Sequence, residues 1–178
     1  RAPTSGDLGF QLGPRINAGG RVGRSDLGTR LLISEAPGEA RQIAEELDRL
    51  NAERKALEAL TLDQALLAAP ESDPVVVASG DGWHAGVIGI VAGRLKEKFG
   101  RPAVVIGVDG AVGKGSGRSV PGVDLGAAVL AAKDIGLLAA GGGHAMAAGL
   151  TIAADKVADF RAFLCERLAE DVAASMDG

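Results

Sequence analysis

Twenty-seven glycines are spread through the 178 residues, yet the stretch from Glu35 to about Ala69 contains none after Gly38. It is built from Ala, Leu, Glu, Arg and Gln, which lose little conformational freedom in a helix. One continuous helix over this length would reach about 50 Å at 1.5 Å per residue. Its apolar residues, Ile43, Leu47, Leu50, Leu57 and Leu60, make only a broken stripe, so much of its circumference must be wet or must meet a partner. Such a helix either connects two lobes or lies along its own domain, and Thr61 marks a place where it can break. Pro70 and Pro74 follow as a linker.

Beyond the prolines the pattern changes. Val75 to Ser79 is a short, continuously apolar run of the kind found in a buried strand. Ile88, Val91, Leu95 and Phe99 then recur at helical spacing up to Gly100, and Ala103 to Val108 reads as the next strand, completing a βαβ unit. Asp109-Gly110 is a hairpin signal leading into a strand from Ala111 to Ser119. Asp124 caps a helix carrying Leu125, Ala128, Val129 and Ala132; Ala148 to Ile152 forms another strand; and Val157, Phe160, Leu164 and Leu168 mark the face of a last helix. Residues before about Ser34 are rich in Gly, Arg and Asp and read as loop and short helix. The expected fold is a mixed-sheet α/β domain over residues 70–178, preceded by a connecting helix over 35–69 and an interdomain segment over 1–34.

At 47% hydrophobic and 24% charged, the chain is long enough to bury a core and is not disordered. No apolar run approaches the roughly 20 residues needed to span a bilayer. The single cysteine, Cys165, excludes an intramolecular disulfide, and a cytoplasmic setting is the default. A net charge of −4 argues against indiscriminate nucleic-acid binding. The basic residues are clustered, however: Arg94, Lys96, Lys98, Arg101, Lys114 and Arg118 stand against only Glu97 and Asp109, and Arg15, Arg21, Arg24 and Arg30 crowd the opening. Local basic patches on an acidic chain suit a focused phosphate site.

Four segments could carry chemistry. Gly141-Gly142-Gly143-His144 sets adaptable backbone beside a ring that can donate to a phosphoryl oxygen; it is either an anion-handling loop or a tight turn with a satisfied core histidine. In Gly113 to Arg118 the alternation of a strand places Lys114, Ser116 and Arg118 on one face and three glycines on the other. That arrangement suits a phosphate backbone laid across a bare strand, or else an edge strand with solvated charges. Gly13 to Arg21 offers Arg15, Asn17 and Arg21, and Gly80 to Ile90 runs from a strand end through Trp83 and His84 into a helix. Trp83 is either a core plug or a base-stacking platform, and His84 either a helix cap or a phosphate contact. With no partner at ligand spacing, neither His84 nor His144 suggests a metal site.

These four motifs, in this order from about Leu12 to Thr151, resemble the RecJ-like single-stranded-DNA exonucleases of the DHH phosphoesterase superfamily. The resemblance implies that this chain corresponds to the DHH-associated domain and its connecting helix within a longer nuclease. That enzyme would act 5′ to 3′ in DNA repair and recombination, with Mn²⁺ or Mg²⁺ held by a separate DHH domain, since no Asp-His-His triplet occurs here. It further implies that His144 faces the scissile phosphate beside Gly142 and Gly143. Arg118 and Ser119 would hold the backbone near its 5′ end, and the Arg15 to Arg21 loop would contribute an arginine to the terminal-phosphate pocket. Single-stranded DNA is the implied partner, with a single-strand-binding protein as a second candidate. Two other readings remain open: a phosphoesterase of short oligonucleotides or nucleotide phosphates, and a non-catalytic RNA-binding appendage.

Overall fold

The computed structural model describes residues 2–70 and 72–176 and resolves into two compact units, Arg1–Ala59 and Leu60–Gly178. The first unit is helical. After a wide helical turn at Asp7–Leu12 come α1 (Gly13–Val22), α2 (Leu27–Ile33) and the start of α3 (Pro37–Ala68). Their apolar faces meet in a small core of Ala18, Leu27, Ile43, Leu47 and Leu50. The opening segment is therefore more regular than its Gly and Arg content suggests, because tertiary packing of a few aliphatic residues outweighs poor local propensity.

Helix α3 runs 32 residues without interruption. The expected break at Thr61 does not occur: Thr61 is buried in the helix, where a β-branched residue costs only a few tenths of a kcal/mol and Ala and Leu neighbours carry the turn. Arg54, also buried, is satisfied within the helix. It donates from Nη1 to Glu58 Oε2 at 2.5 Å and from Nη2 to Asn51 Oδ1 at 3.1 Å, as a charge removed from water requires.

In the second unit five strands form one sheet in the order β1-β2-β3-β5-β4. They are β1 (Val76–Asp81), β2 (Ala103–Asp109), β3 (Val112–Arg118), β4 (Ala140–His144) and β5 (Ala147–Ala153). β1 and β2 run parallel, joined by α4 (Ala85–Phe99), and every other pair is antiparallel. Gly100, in a left-handed conformation at φ 63°, terminates α4. Asp124 accepts from Ala127 N at 2.9 Å to start α5 (Leu125–Asp134), and α6 (Val157–Met176) closes the chain.

Each face of the sheet has its own core. Val104, Ile106, Leu150 and Ile152 face α5 and α6, meeting Leu125, Val129, Phe160, Leu164 and Leu168. Val76, Ala78, Ala103 and Val105 face the other way, under Ile88, Val91 and Leu95 of α4 and Ala65 from the last turns of α3. Two expectations are corrected here. β3 is the central strand, not an edge, and its glycine face is packed: a Cβ at Gly115 would lie 2.6 Å from Leu150 Cδ1, and one at Gly117 2.6 Å from Leu125 Cδ2. Large aliphatics from neighbouring elements fill the space the glycines leave. The glycine tract Gly141–Gly143 is likewise neither loop nor turn but part of β4, whose pairing with β5 supplies the hydrogen bonds that glycine propensity alone would not favour.

Candidate functional site

The α4 face of the sheet is only partly covered. Register places Arg118, Ala147 and His144 in one row across β3, β5 and β4; Ser116, Gly149 and Gly142 in the next; and Lys114, Thr151 and Ala140 in a third. All nine positions are exposed or half-exposed. At Gly142 and Gly149 an added Cβ would meet nothing within 4 Å. The floor is bare, and the functional groups stand around it.

Arg118 donates from Nη1 to Ser116 Oγ at 3.1 Å and to Gly117 O at 2.7 Å, which lays its guanidinium back along the strand. Gly89 of α4 makes room for this pair, since a Cβ there would sit 3.0 Å from Ser116 Oγ and 3.1 Å from Arg118 Nη2. Lys114 Nζ donates to Thr151 Oγ1 at 2.9 Å. Among the described residues neither Arg118 nor Lys114 has a carboxylate partner. Both cations therefore remain available to an anion.

His144 ends β4, two strands from Arg118, or about 10 Å at the usual inter-strand spacing. Its Nδ1 accepts from Met146 N at 3.3 Å, so the ring carries its hydrogen on Nε2 and presents that donor outward. Three contacts hold its hairpin. Leu125 N donates to Ala145 O at 3.1 Å, Ser119 N donates to Met146 O at 2.9 Å, and Gly126 lies so close that a Cβ would fall 2.8 Å from the His144 carbonyl. Gly143 is needed for the hairpin itself, because a Cβ there would fall 2.2 Å from Ala147 O.

The other sequence candidates are distributed differently. Ser119 is buried, its hydroxyl donating to Val123 O at 2.8 Å, which steadies the loop against which the His144 hairpin rests. Trp83 is the core plug of the two readings: it fills the space above Gly80 and Gly107, and its indole N–H donates to Gln64 Oε1 at 2.6 Å. His84 caps α4 by accepting from Gly86 N at 3.0 Å through Nδ1, and it stays exposed. Arg15, Asn17 and Arg21 lie on α1 in the first unit. There Arg15 pairs with Asp48 at 2.7 Å and donates to Gln11 O at 2.8 Å.

Thr151 was given no role in the sequence reading, and neither were Gly149 and Gly89, although both lie at the ends of motifs it singled out, Gly141 to Gly149 and Gly80 to Ile90. A signal for the first two was present: along β5 the small or polar Ala147, Gly149 and Thr151 alternate with the apolar Ala148, Leu150 and Ile152. Perturbed ionisation lies elsewhere, where the Asp73 carboxyl is held below its usual range by the hydrogen bond from Arg161. Burial pushes the neighbouring Cys165 thiol up, which keeps it protonated and unreactive.

Residues 72–170 match the DHHA1 domain family, a span that contains the whole sheet and every residue of the open face. The chain belongs to that family. The DHHA1 domain and the helices before it are similar to the single-stranded-DNA-specific exonuclease RecJ of Bacillus subtilis, at 42% identity over 164 residues, covering 89% of this chain and 21% of that protein. Two solved structures share the fold. RecJ from Thermus thermophilus in complex with Mg²⁺ superposes with a TM-score of 0.83 at 34% identity, over 92% of this chain and 26% of the other. An exonuclease RecJ bound to manganese gives a TM-score of 0.83 at 33% identity, over 93% and 42%. The chain thus spans less than half the length of each of these relatives.

Proposed function

We propose that this DHHA1 domain grips the substrate strand of a RecJ-like exonuclease that degrades single-stranded DNA from its 5′ end in DNA repair and recombination. The observation that carries the reading is the pairing of the Arg118–Ser116 unit with His144 across a bare glycine floor. A phosphodiester lying on Gly142 and Gly149 meets the arginine fork on one side and the His144 Nε2–H on the other. The guanidinium neutralises ground-state charge. The imidazole donor acts where charge grows on a phosphoryl oxygen as the bond breaks.

The residues present do not fit a divalent metal. Among the described residues no three His, Cys, Asp or Glu side chains cluster to hold one, and both imidazoles commit Nδ1 to backbone N–H groups. In this reading Mn²⁺ or Mg²⁺ is bound by residues outside this chain and would supply the water-activating chemistry there; alone, the chain binds but does not cut. Among the described residues no helix is long and apolar enough to cross a membrane. In this reading the enzyme is cytoplasmic and works beside a single-strand-binding protein.

The test is His144→Ala in the intact exonuclease. Turnover is expected to fall roughly a hundredfold, the scale of losing one oxyanion donor, with the melting temperature unchanged because the ring is exposed. Unchanged turnover in the folded fraction, together with a lowered melting temperature, would reduce His144 to a structural residue and defeat the proposal.

A further inference from the structure

Strand β3 carries polar groups at both ends, and the grip described above uses only one of them. At the other end Lys114 lines a separate cavity of about 550 Å³ together with Trp83, His84, Gly107, Asp109 and Val112. Lys114 and Arg118 are four positions apart on β3, about 13 Å along an extended strand. A single phosphate group cannot touch both.

The chemistry of the two ends is alike. His84 and His144 each accept a backbone N–H through Nδ1 from the residue two positions on, at 3.0 and 3.3 Å, which leaves each an Nε2–H donor, His84 on the lining that Lys114 shares and His144 at the far end of the row that starts at Arg118. The cavity adds what the first site lacks. Val112, 47% exposed, offers an apolar surface, and the exposed Asp109 carboxylate on the rim accepts hydrogen bonds while disfavouring a second anion.

We propose that this cavity is a second nucleotide subsite, taking a unit further along the same strand. Its phosphodiester lies between His84 and Lys114, and its base lies against Val112 with a ring N–H or amino group toward Asp109. The proposal rests on reading the open face as a single-stranded-DNA interface. It makes that interface a ruler: a strand long enough to engage both ends of β3 gains a contact that a dinucleotide cannot.

The experiment measures binding of this chain to 5′-phosphorylated oligodeoxynucleotides of two and twelve residues across a salt series. Lys114→Ala should weaken binding of the twelve-mer about tenfold, the scale of one charge-assisted contact. It should also flatten the slope of log K against log salt by about 0.7, one phosphate's worth on a single strand. Dinucleotide affinity should stay within about twofold of the parent, since that ligand fills only the Arg118 end. His84→Ser keeps a side-chain cap on α4 but shortens the donor, and it should show the same length dependence. Twelve-mer binding that survives both substitutions, or equal weakening at both lengths, overturns the second subsite. Arg118→Ala separates the layers: if it leaves both lengths unaffected, the interface reading fails, and the ruler with it.

Discussion

Two groups of glycines in adjoining strands do opposite things. Gly113, Gly115 and Gly117 on β3 are bare because the protein needs their space, with Ile106, Leu150 and Leu125 in it at distances no Cβ would tolerate. Gly142 and Gly149, paired across β4 and β5, are bare although an added Cβ would meet nothing of this chain. Neither has the positive φ that would demand glycine. In a strand interior, where glycine weakens the sheet, packing explains the first group and not the second; on the proposed reading, the second is explained by the strand of DNA that approaches from outside. A glycine kept where the fold has no use for it is evidence about a ligand.

The comparison breaks most visibly at Gly115. Gly115→Val drives branched methyls into Leu150 and Ile106 and should cost about 3 kcal/mol, the upper end for overpacking a core. Urea unfolding of the variant measures it. Gly149→Val should do the reverse, leaving stability unchanged or raising it by up to about 1 kcal/mol, because a β-branched residue replaces glycine in an open strand position. Its effect belongs on binding: affinity for single-stranded DNA should fall about tenfold or more as the isopropyl group lifts the backbone off Arg118 and His144. If Gly149→Val unfolds like Gly115→Val, or binds DNA like the parent, the distinction between the two groups is wrong.

The same contrast explains what was legible in advance. The α4 helix, the Asp109-Gly110 hairpin and the Asp124 cap each depend on a few consecutive residues, and they stand where the sequence puts them. What a face of β3 packs against depends on Leu150 and Leu125, far along the chain, so alternation could separate Lys114, Ser116 and Arg118 from the glycines without saying which side was buried. Strand β4 was hidden because three glycines carry no strand propensity of their own; β5 imposes the conformation by pairing. Ser119 beside Arg118 looked like part of one grip. The chain turns away after β3, and the serine hydroxyl is held by Val123 O instead.

Arginines sharpen the contrast in the same way. Arg161 is answered by Asp73 at 2.7 Å, whereas Arg118 meets, among the described residues, Ser116 and a backbone carbonyl but no carboxylate. Arg118→Ala should weaken single-stranded DNA binding by about 2 kcal/mol if its fork meets phosphate, with little change in unfolding. Arg161→Ala should leave binding untouched. A titration of DNA against both variants at one ionic strength settles which arginine faces the ligand, and equal losses would mean that only overall charge matters.

The smallest effect is a pH dependence at the Asp73 cluster, where the carboxylate accepts from Arg161 Nε, the Cys165 thiol lies at 3.6 Å, and Arg101 bonds the Asp73 carbonyl. Arg161 lowers the folded-state pKa of Asp73 below its ordinary value. An unfolded Asp73 titrates near 3.9, so the pair's contribution is fully present above that pH and is lost as pH falls through the lower folded-state value. Arg161 is 43% exposed, which limits the contribution through solvent screening to about 0.5 kcal/mol. The measurement is the difference in unfolding free energy between the parent and Asp73→Asn, taken from pH 7 down to pH 3. The gap should be constant to about pH 5 and then close as the parent's carboxylate protonates, while DNA affinity at pH 7 stays the same in both. A gap that persisted at pH 3 would mean that Asp73 works through its shape and its hydrogen bonds as a neutral group. A loss of DNA affinity at pH 7 would place this cluster in contact with the ligand, and the division between answered and unanswered charges would have to be redrawn.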